Sequence, residues 1–167
     1  MKELVSIVMG SDSDLEVMQE CAEVLKEFGV NFEMQVLSAH RTPILVADFA
    51  TQATAKGLKV LIAGAGGAAH LAGAVAANTI LPVIGVPLAA TQMNGLDALL
   101  ATVQMPAGVP VATVAVGKPG ARNAGLLAVQ ILALSDEKLA EKLRRYKQAM
   151  VENSLEKNKK LQSKIQK

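Results

Sequence analysis

Residues 59–73 read KVLIAGAGGAAHLAG, an apolar run followed by a loop of glycine and alanine. The run at 59–63 is short and almost continuously apolar, which is typical of a strand covered on both faces in a parallel sheet. Four of the next ten residues are glycine. Because such a loop has few side chains, a ligand that approaches it meets backbone N–H groups directly. His70 is the one reactive side chain in this loop.

The same order of apolar run and helical pattern recurs along the chain. The predicted strands are residues 4–9, 31–37, 59–63, 82–86 and 111–116. The predicted helices are residues 13–28, 43–56, 68–78, 94–104, a fifth from 119 or 123 to 134, and a last one from 135. Their N-caps are expected at Ser13, which forms a capping-box pattern with Glu16, and at Thr42, Asn94 and Ser135.

This alternation of strands and helices determines the expected architecture. Five strands, each followed by a helix, predict a three-layer α/β/α sandwich around a doubly wound, five-stranded parallel sheet of the flavodoxin-like kind. We expect residues 1–150 to form a single α/β catalytic domain. The charged segment 151–167, VENSLEKNKKLQSKIQK, is expected to form a helical extension or tail.

Composition narrows the classes of function. Of the 167 residues, 51% are hydrophobic and 2% aromatic, and the formal charge is +2, which argues against a nucleic-acid surface. The apolar excess favours an oligomer. A single cysteine, Cys21, excludes an internal disulfide, and we expect its thiol to be buried and inert. Because no run suits a signal peptide or a membrane span, we expect a cytoplasmic protein that contacts no membrane.

The unusual polar residues follow the predicted strands. In open α/β sheets, ligands bind at the carboxyl ends of the strands. These ends carry GSDSD at 10–14, SAHRTP at 38–43, GAGGAAH at 64–70, the loop 87–95, and VGKPGARNAG at 116–125. We therefore expect one ligand site along this edge.

Two of these loops could bind an anion. The hydroxyls of Ser11 and Ser13, at the start of a helix, suit a phosphate or carboxylate, although for this loop taken alone plain N-capping is the better explanation. The next loop adds Ser38 and Arg41, and a guanidinium binds an oxyanion as a bidentate fork. His40 lies between them, in position for proton transfer near neutral pH.

Several common sites are excluded. The glycine-rich loop lacks the Lys-Ser/Thr of a P-loop and does not fit G-x-G-x-x-G, which argues against ATP and NAD. Two histidines thirty residues apart, without a third ligand, make a poor metal site. A nucleophile elbow is also missing. We expect neither a metal nor a cofactor.

Six motifs together carry a family resemblance. Between residues 5 and 134 the chain contains, in order, GSDSD, SAHRTP, GAGGAAHL, MNGLDALL, VQMPAGVPVATVAVG and NAGLLAVQIL. With these motifs it resembles the N5-carboxyaminoimidazole ribonucleotide mutase family, the class I enzymes of purine biosynthesis. It resembles less the class II enzymes, which carboxylate aminoimidazole ribonucleotide directly with carbon dioxide and typically have AHKT as the second motif.

The resemblance implies an enzyme that moves a carboxyl group from the exocyclic amine of a ribonucleotide to ring carbon C4. It implies that His40 acts first as acid and then as base. His70 would hydrogen-bond the carboxylate or shape its loop. The other residues expected at the site are Ser11, Ser13, Ser38 and Arg41 for the phosphate, Asp14 for the ribose, and Ala65, Gly66 and Ala69 for carbon dioxide. The family assembles as an octamer, so a homo-octamer is expected.

Two alternatives stay open at this point. One is direct carboxylation of aminoimidazole ribonucleotide; the other is a non-enzymatic nucleotide or flavin binding module of the same architecture, although the chain has few aromatics to hold a flavin. The chain also departs from the family pattern, which usually has His-Leu-Pro-Gly-Met at 70–74 and often Ser at 98. Here Ala72, Ala74 and Ala98 stand at the altered positions, so we expect an effect on rate or stability rather than on reaction type.

Overall fold

The computed structural model describes residues 3–165, and the chain divides into two compact units, one ending at Ile131 and the other beginning at Leu132. The strands are β1 (Val5–Met9), β2 (Phe32–Val36), β3 (Val60–Gly66), β4 (Val83–Leu88) and β5 (Ala112–Thr113). The helices are α1 (Leu15–Phe28), α2 (Pro43–Lys56), α3 (Leu71–Ala76), α4 (Leu96–Val103), α5 (Lys118–Ala133) and α6 (Glu137–Ile165). A short 3-10 helix, Asp12–Asp14, precedes α1. The expected division at residue 150 stays a prediction.

The first unit contains the sheet. Its five strands are all parallel in the order β2-β1-β3-β4-β5, with helices on both sides. The predicted flavodoxin-like fold is confirmed. The chain leaves β1 toward one edge to form β2 and returns to the other side for β3, so the loops that follow these strands meet where the strand order reverses.

The interior of the sheet explains its sequence pattern. Every residue of β1 is buried, and Ile7, Leu61, Ile62 and Ile84 are among the largest fully buried side chains. Because both faces are covered, these strands are almost continuously apolar rather than alternating. Cys21 is buried on α1, and this burial raises the pKa of its thiol to about 12. The thiol is therefore protonated and inert at neutral pH, as predicted.

Three of the four predicted N-caps were wrong. Ser11, rather than Ser13, begins the capping box: its Oγ accepts from the Ser13 N–H at 3.4 Å, and the Asp14 carboxylate accepts from the Ser11 N–H at 3.0 Å. The Ser-Asp-Ser-Asp sequence offers two overlapping capping registers, and the extra 3-10 turn selects the earlier one.

The other two starts are each displaced by one residue. Gly95, rather than Asn94, caps α4, and it has a φ of 85° that suits glycine. At α6 the cap is Asp136 rather than Ser135, since its Oδ1 accepts from the N–H groups of Lys138 at 2.9 Å and Leu139 at 3.2 Å. Thr42 does precede α2 as predicted, with Pro43 in the first turn.

The glycine-rich loop begins later than predicted because β3 continues into it. Gly64, Ala65 and Gly66 pair with Val86, Pro87 and Leu88 of β4. A Cβ at Gly64 would overlap the Met18 side chain of α1, so glycine permits close packing between helix and strand at this point. Helix α3 is correspondingly shorter than the predicted 68–78, and β5 is limited to two residues.

The second unit contains α6, which is continuous through residue 150 to Ile165. Arg144 binds the carboxylates of Glu137 and Glu141 at 2.9 Å each, and Arg145 binds Glu141 at 3.2 Å. These exposed pairs lie at helical spacings, and because water and salt screen them, they contribute little to stability. Within residues 3–165, no helix combines the length and apolar character needed to cross a membrane.

Candidate active site

The carboxyl ends of β1, β2 and β3 surround a cavity of about 400 Å³. Its lining includes nine of the ten residues that the sequence pointed to: Ser11, Ser13, Asp14, Ser38, His40, Arg41, Ala65, Gly66 and His70. The rest of the lining is Gly10, Ala39, Ala68, Leu71 and Ala90. Topology therefore brings the loops after β1, β2, β3 and β4 around one small space.

Hydroxyl and carboxyl groups line one end of this cavity. The Ser13 Oγ donates to the Ser11 Oγ at 3.0 Å, within the turn that opens α1. The Asp14 carboxylate closes the same turn by accepting from the Ser11 N–H. Partial burial raises the pKa of Asp14, and this effect is opposed by the Ser11 N–H and the charge of Arg41. This end can offer hydroxyl donors and a carboxylate acceptor to a polar ligand.

Arg41 connects the first two loops. Its Nη2 donates to the Gly10 carbonyl at 2.7 Å and its Nε to the Ser38 Oγ at 3.3 Å. The loop itself is closed by Thr42, whose Oγ1 donates to the Ser38 carbonyl at 3.0 Å and accepts from the Ser38 N–H at 3.1 Å. A guanidinium held in this way presents a preorganised positive charge beside the serine hydroxyls.

The two histidines meet across the cavity. His40 Nε2 and His70 Nδ1 are 2.8 Å apart, and the rings are perpendicular, with centroids 4.9 Å apart. One nitrogen must donate and the other accept, so a single proton is held between the rings. Within the described part of the chain, the His40 Nδ1 has no hydrogen-bond partner. The pair can therefore hold one imidazole in a set orientation and leave it a nitrogen for proton exchange.

The glycine-rich loop forms a wall without reactive side chains. Ala65 and Gly66 line the cavity, but Ala69 does not: it is buried, and its N–H donates to the Gly67 carbonyl at 2.8 Å. The Ala69 amide is thus already paired within its own loop. A Cβ at Gly66 would overlap the Cβ of Ala90, so glycine allows the two loops to touch.

Ala90 is a lining residue from a loop in which the sequence pointed to no site residue. It lies in the loop after β4, which the sequence did place at the correct edge of the sheet. An alanine has no side-chain chemistry to distinguish it from its neighbours. The only available signal was the position of the loop itself.

The described residues contain no group of three or more histidine, cysteine, aspartate or glutamate side chains that could hold a metal ion. The two histidines form a pair with each other, and Asp14 accepts from backbone.

We expect the effect of Asp14 on stability to depend on pH. Because its pKa is raised in the folded protein, the folded state binds this proton more tightly than the unfolded chain. The contribution is present below the ordinary pKa near 3.8 and is lost as pH rises through the raised value. Urea unfolding of wild type and Asp14→Asn, from about pH 4 to pH 7, should show the wild type losing stability relative to the variant.

The matched control for this measurement is Asp48→Asn, which removes an exposed carboxylate from α2. A wild type that instead gains stability relative to Asp14→Asn over the same range would contradict the expected sign.

Comparison with known proteins identifies the family. A family model described as AIR carboxylase matches residues 4–153. This chain belongs to the AIR carboxylase family.

The chain aligns with most of the length of its named relatives. It is 54% identical over 161 residues to the N5-carboxyaminoimidazole ribonucleotide mutase of Pyrococcus horikoshii, covering 96% of this chain and 90% of the relative. The mutase of Bacillus subtilis is 57% identical over 143 residues, covering 86% and 88% of the two chains. The crystal structure of PurE from Treponema denticola matches with a TM-score of 0.87 and 30% identity, covering 96% and 99%.

Proposed function

We propose that this member of the AIR carboxylase family is an N5-carboxyaminoimidazole ribonucleotide mutase, an isomerase of de novo purine biosynthesis. The observation that carries the proposal is the 54% identity, over nearly the whole chain, to a relative with that name. The cavity supports it, because hydroxyl groups, a guanidinium and an imidazole lie around a space of about 400 Å³.

The reaction moves one carboxyl group within a nucleotide. The N–C bond of the carbamate breaks, its electron pair stays on nitrogen, and nitrogen takes a proton as carbon dioxide is released. Ring carbon C4 then attacks the carbon dioxide, and the C4 proton is lost. The reaction has no net change in protons, so one residue can supply the first and remove the second.

His40 is the proposed proton carrier. Its ring lies at the cavity and is oriented by the hydrogen bond to His70. It would protonate the departing nitrogen as an acid and take the C4 proton as a base. His70 is proposed as a positioning residue. Its Nδ1 is hydrogen-bonded to the Nε2 of His40 and so selects the His40 tautomer that faces the substrate.

The hydrophilic end of the cavity is proposed to hold the ribonucleotide. Ser11, Ser13, Ser38 and Arg41 would bind the phosphate, and Asp14 would accept from the ribose hydroxyls. The contacts of Arg41 to Ser38 and Gly10 support this, because they preorganise its charge before a ligand arrives. Binding energy from this remote end can orient the reacting carbons.

The wall of Ala65, Gly66 and Ala90 is proposed to confine carbon dioxide. Small apolar residues exclude water and leave room for a small neutral molecule. Retention of the gas favours its recapture by C4 over escape to solvent.

We also propose a homo-octamer in the cytoplasm, without nucleic-acid or membrane partners. Support for an assembly comes from α4 and the residues before it, where Met93, Leu96, Leu100 and Val103 are 46–56% exposed. Leu96, Leu100 and Val103 lie on one helix face and would be protected by another subunit.

One assay with two substrates tests the function. The purified protein, with EDTA present, is given the carbamate nucleotide alone and, separately, aminoimidazole ribonucleotide with bicarbonate. We expect efficient conversion of the first to the C4 carboxylate without ATP, and poor use of the second. Efficient use of the second substrate only would replace the mutase with a direct carboxylase.

A further inference from the structure

The loop after β4 is closed by a side-chain clamp. Within this loop, residues 89–95, the Thr91 Oγ1 donates to the Asp97 Oδ2 at 2.6 Å and accepts from the Met93 N–H at 3.1 Å. Asp97 lies in the first turn of α4. The Asn94 N–H also donates to the Thr91 carbonyl at 3.2 Å. Thr91 therefore links the start of the loop to the helix that follows it.

The backbone of this loop adopts an unfavourable shape. Asn94 has a φ of 52° and Gly95 a φ of 85°, and Asn94 is the one non-glycine residue with positive φ among residues 3–165. Asparagine tolerates left-handed backbone better than other non-glycine residues do, but this region is still less favourable for it than the right-handed one. Other interactions must therefore stabilise this backbone conformation. The clamp supplies a short, charge-assisted hydrogen bond for this purpose.

The same loop touches the glycine-rich wall of the cavity. Ala90 lines the cavity and lies where a Cβ on Gly66 would be. The Thr91 Cγ2 lies 3.6 Å from the position of a Cβ on Gly67. Ala90 and the Thr91 methyl are thus packed against the wall, so movement of Thr91 would move Ala90.

We propose that Asp97 is a positioning residue that acts through Thr91 to hold Ala90 as the wall retaining carbon dioxide between the two half-reactions. Neither side chain lines the cavity, so neither is expected to touch the substrate. The Thr91 hydroxyl and then the Ala98 N–H lower the pKa of Asp97, which favours the charged acceptor. The catalytic part of this inference rests on the proposed mutase activity.

Asp97 also has a simpler possible role. An acidic residue in the first turn stabilises a helix through its dipole, with no consequence for the loop. Thr91→Val separates the two roles, because it retains Asp97 on α4 and the shape of residue 91 while removing the hydroxyl from the clamp. Thr91→Ser retains the hydroxyl and should restore wild-type behaviour.

The first measurement does not depend on the activity. In hydrogen exchange of the native protein, loss of the clamp should speed exchange of the 89–95 amides about tenfold, because a hydrogen bond to a charged group is lost. Thr51→Val is the matched control: it removes an exposed threonine hydroxyl that donates to the Ala47 carbonyl at 2.9 Å on α2. Unchanged exchange of the 89–95 amides in Thr91→Val would overturn the clamp.

The second measurement follows the products from the carbamate nucleotide. If carbon dioxide escapes before recapture, the variant releases aminoimidazole ribonucleotide in place of the C4 carboxylate. Thr91→Val should raise the ratio of aminoimidazole ribonucleotide to C4 carboxylate about tenfold, and Thr91→Ser and Thr51→Val should give a ratio near that of wild type. Faster loop exchange with an unchanged product ratio would overturn the role in retaining carbon dioxide. If wild type turns over no carbamate nucleotide, the proposed function fails, while the exchange data still decide the clamp.

Discussion

Replacing His40 with asparagine is expected to lower kcat for the carbamate nucleotide about a thousandfold, because general acid–base catalysis of this kind contributes about 10²–10⁴-fold. Asparagine is similar in size and can hydrogen-bond His70, but it cannot carry a proton between the nitrogen and C4. The phosphate-binding end of the cavity is untouched. Affinity for aminoimidazole ribonucleotide, measured by calorimetry, should therefore stay close to that of wild type.

The matched control is His70→Asn, which removes the partner that lies 2.8 Å from His40. If His70 only positions the His40 ring, this variant loses less kcat than His40→Asn and retains the pathway through carbon dioxide. Near-normal turnover by His40→Asn would remove His40 from the mechanism. A larger loss in His70→Asn than in His40→Asn would exchange the two roles.

Replacing Arg41 with methionine is expected to weaken binding of aminoimidazole ribonucleotide about a hundredfold, as befits the loss of a charge-assisted fork to a phosphate. The change also removes the bonds to Gly10 and Ser38 that join the first two loops. Arg41→Lys should recover only part of the affinity, because an ammonium supplies charge without the planar fork. Calorimetry at two salt concentrations measures the affinity lost in Arg41→Met and the part recovered in Arg41→Lys.

Arg122→Met is the control for Arg41→Met. Arg122 lies on α5 and pairs with Glu20 at 3.5 Å, away from the cavity lining. Arg122→Met also removes one arginine, so it changes the net charge by the same amount as Arg41→Met does. If Arg41→Met binds the nucleotide as tightly as Arg122→Met does, Arg41 does not bind the phosphate.

Much of the fold could be predicted because burial on both faces leaves a direct mark on sequence. The strand Val5–Met9 is entirely buried, and its residues are apolar apart from Ser6. Helix ends were harder to predict from the sequence where neighbouring residues could serve equally well as caps. Ser11 and Ser13 are chemically alike, and so are Ser135 and Asp136 as acceptors, so the choice depends on the path of the chain into each helix.

The site was predictable at the level of loops because a parallel sheet carries all its strand ends to one edge. Nine of the ten expected residues line one cavity for that reason. Ala69 does not line the cavity, and its amide turns back to Gly67, a local bond that alanine and glycine composition does not encode. Ala90 was missed because its contribution is its position beside Gly66, not its chemistry.

The sequence by itself determined the alternating α/β order, the edge of the sheet that carries the polar residues, and the family. Each of these depends on residue type and spacing along the chain. Only the tertiary structure decided that His40 meets His70, that Arg41 reaches Gly10, and that the loop after β4 closes on the glycine-rich wall. These contacts join residues about 24 to 31 positions apart at ångström precision, and that precision comes from how helices and strands pack around the sheet.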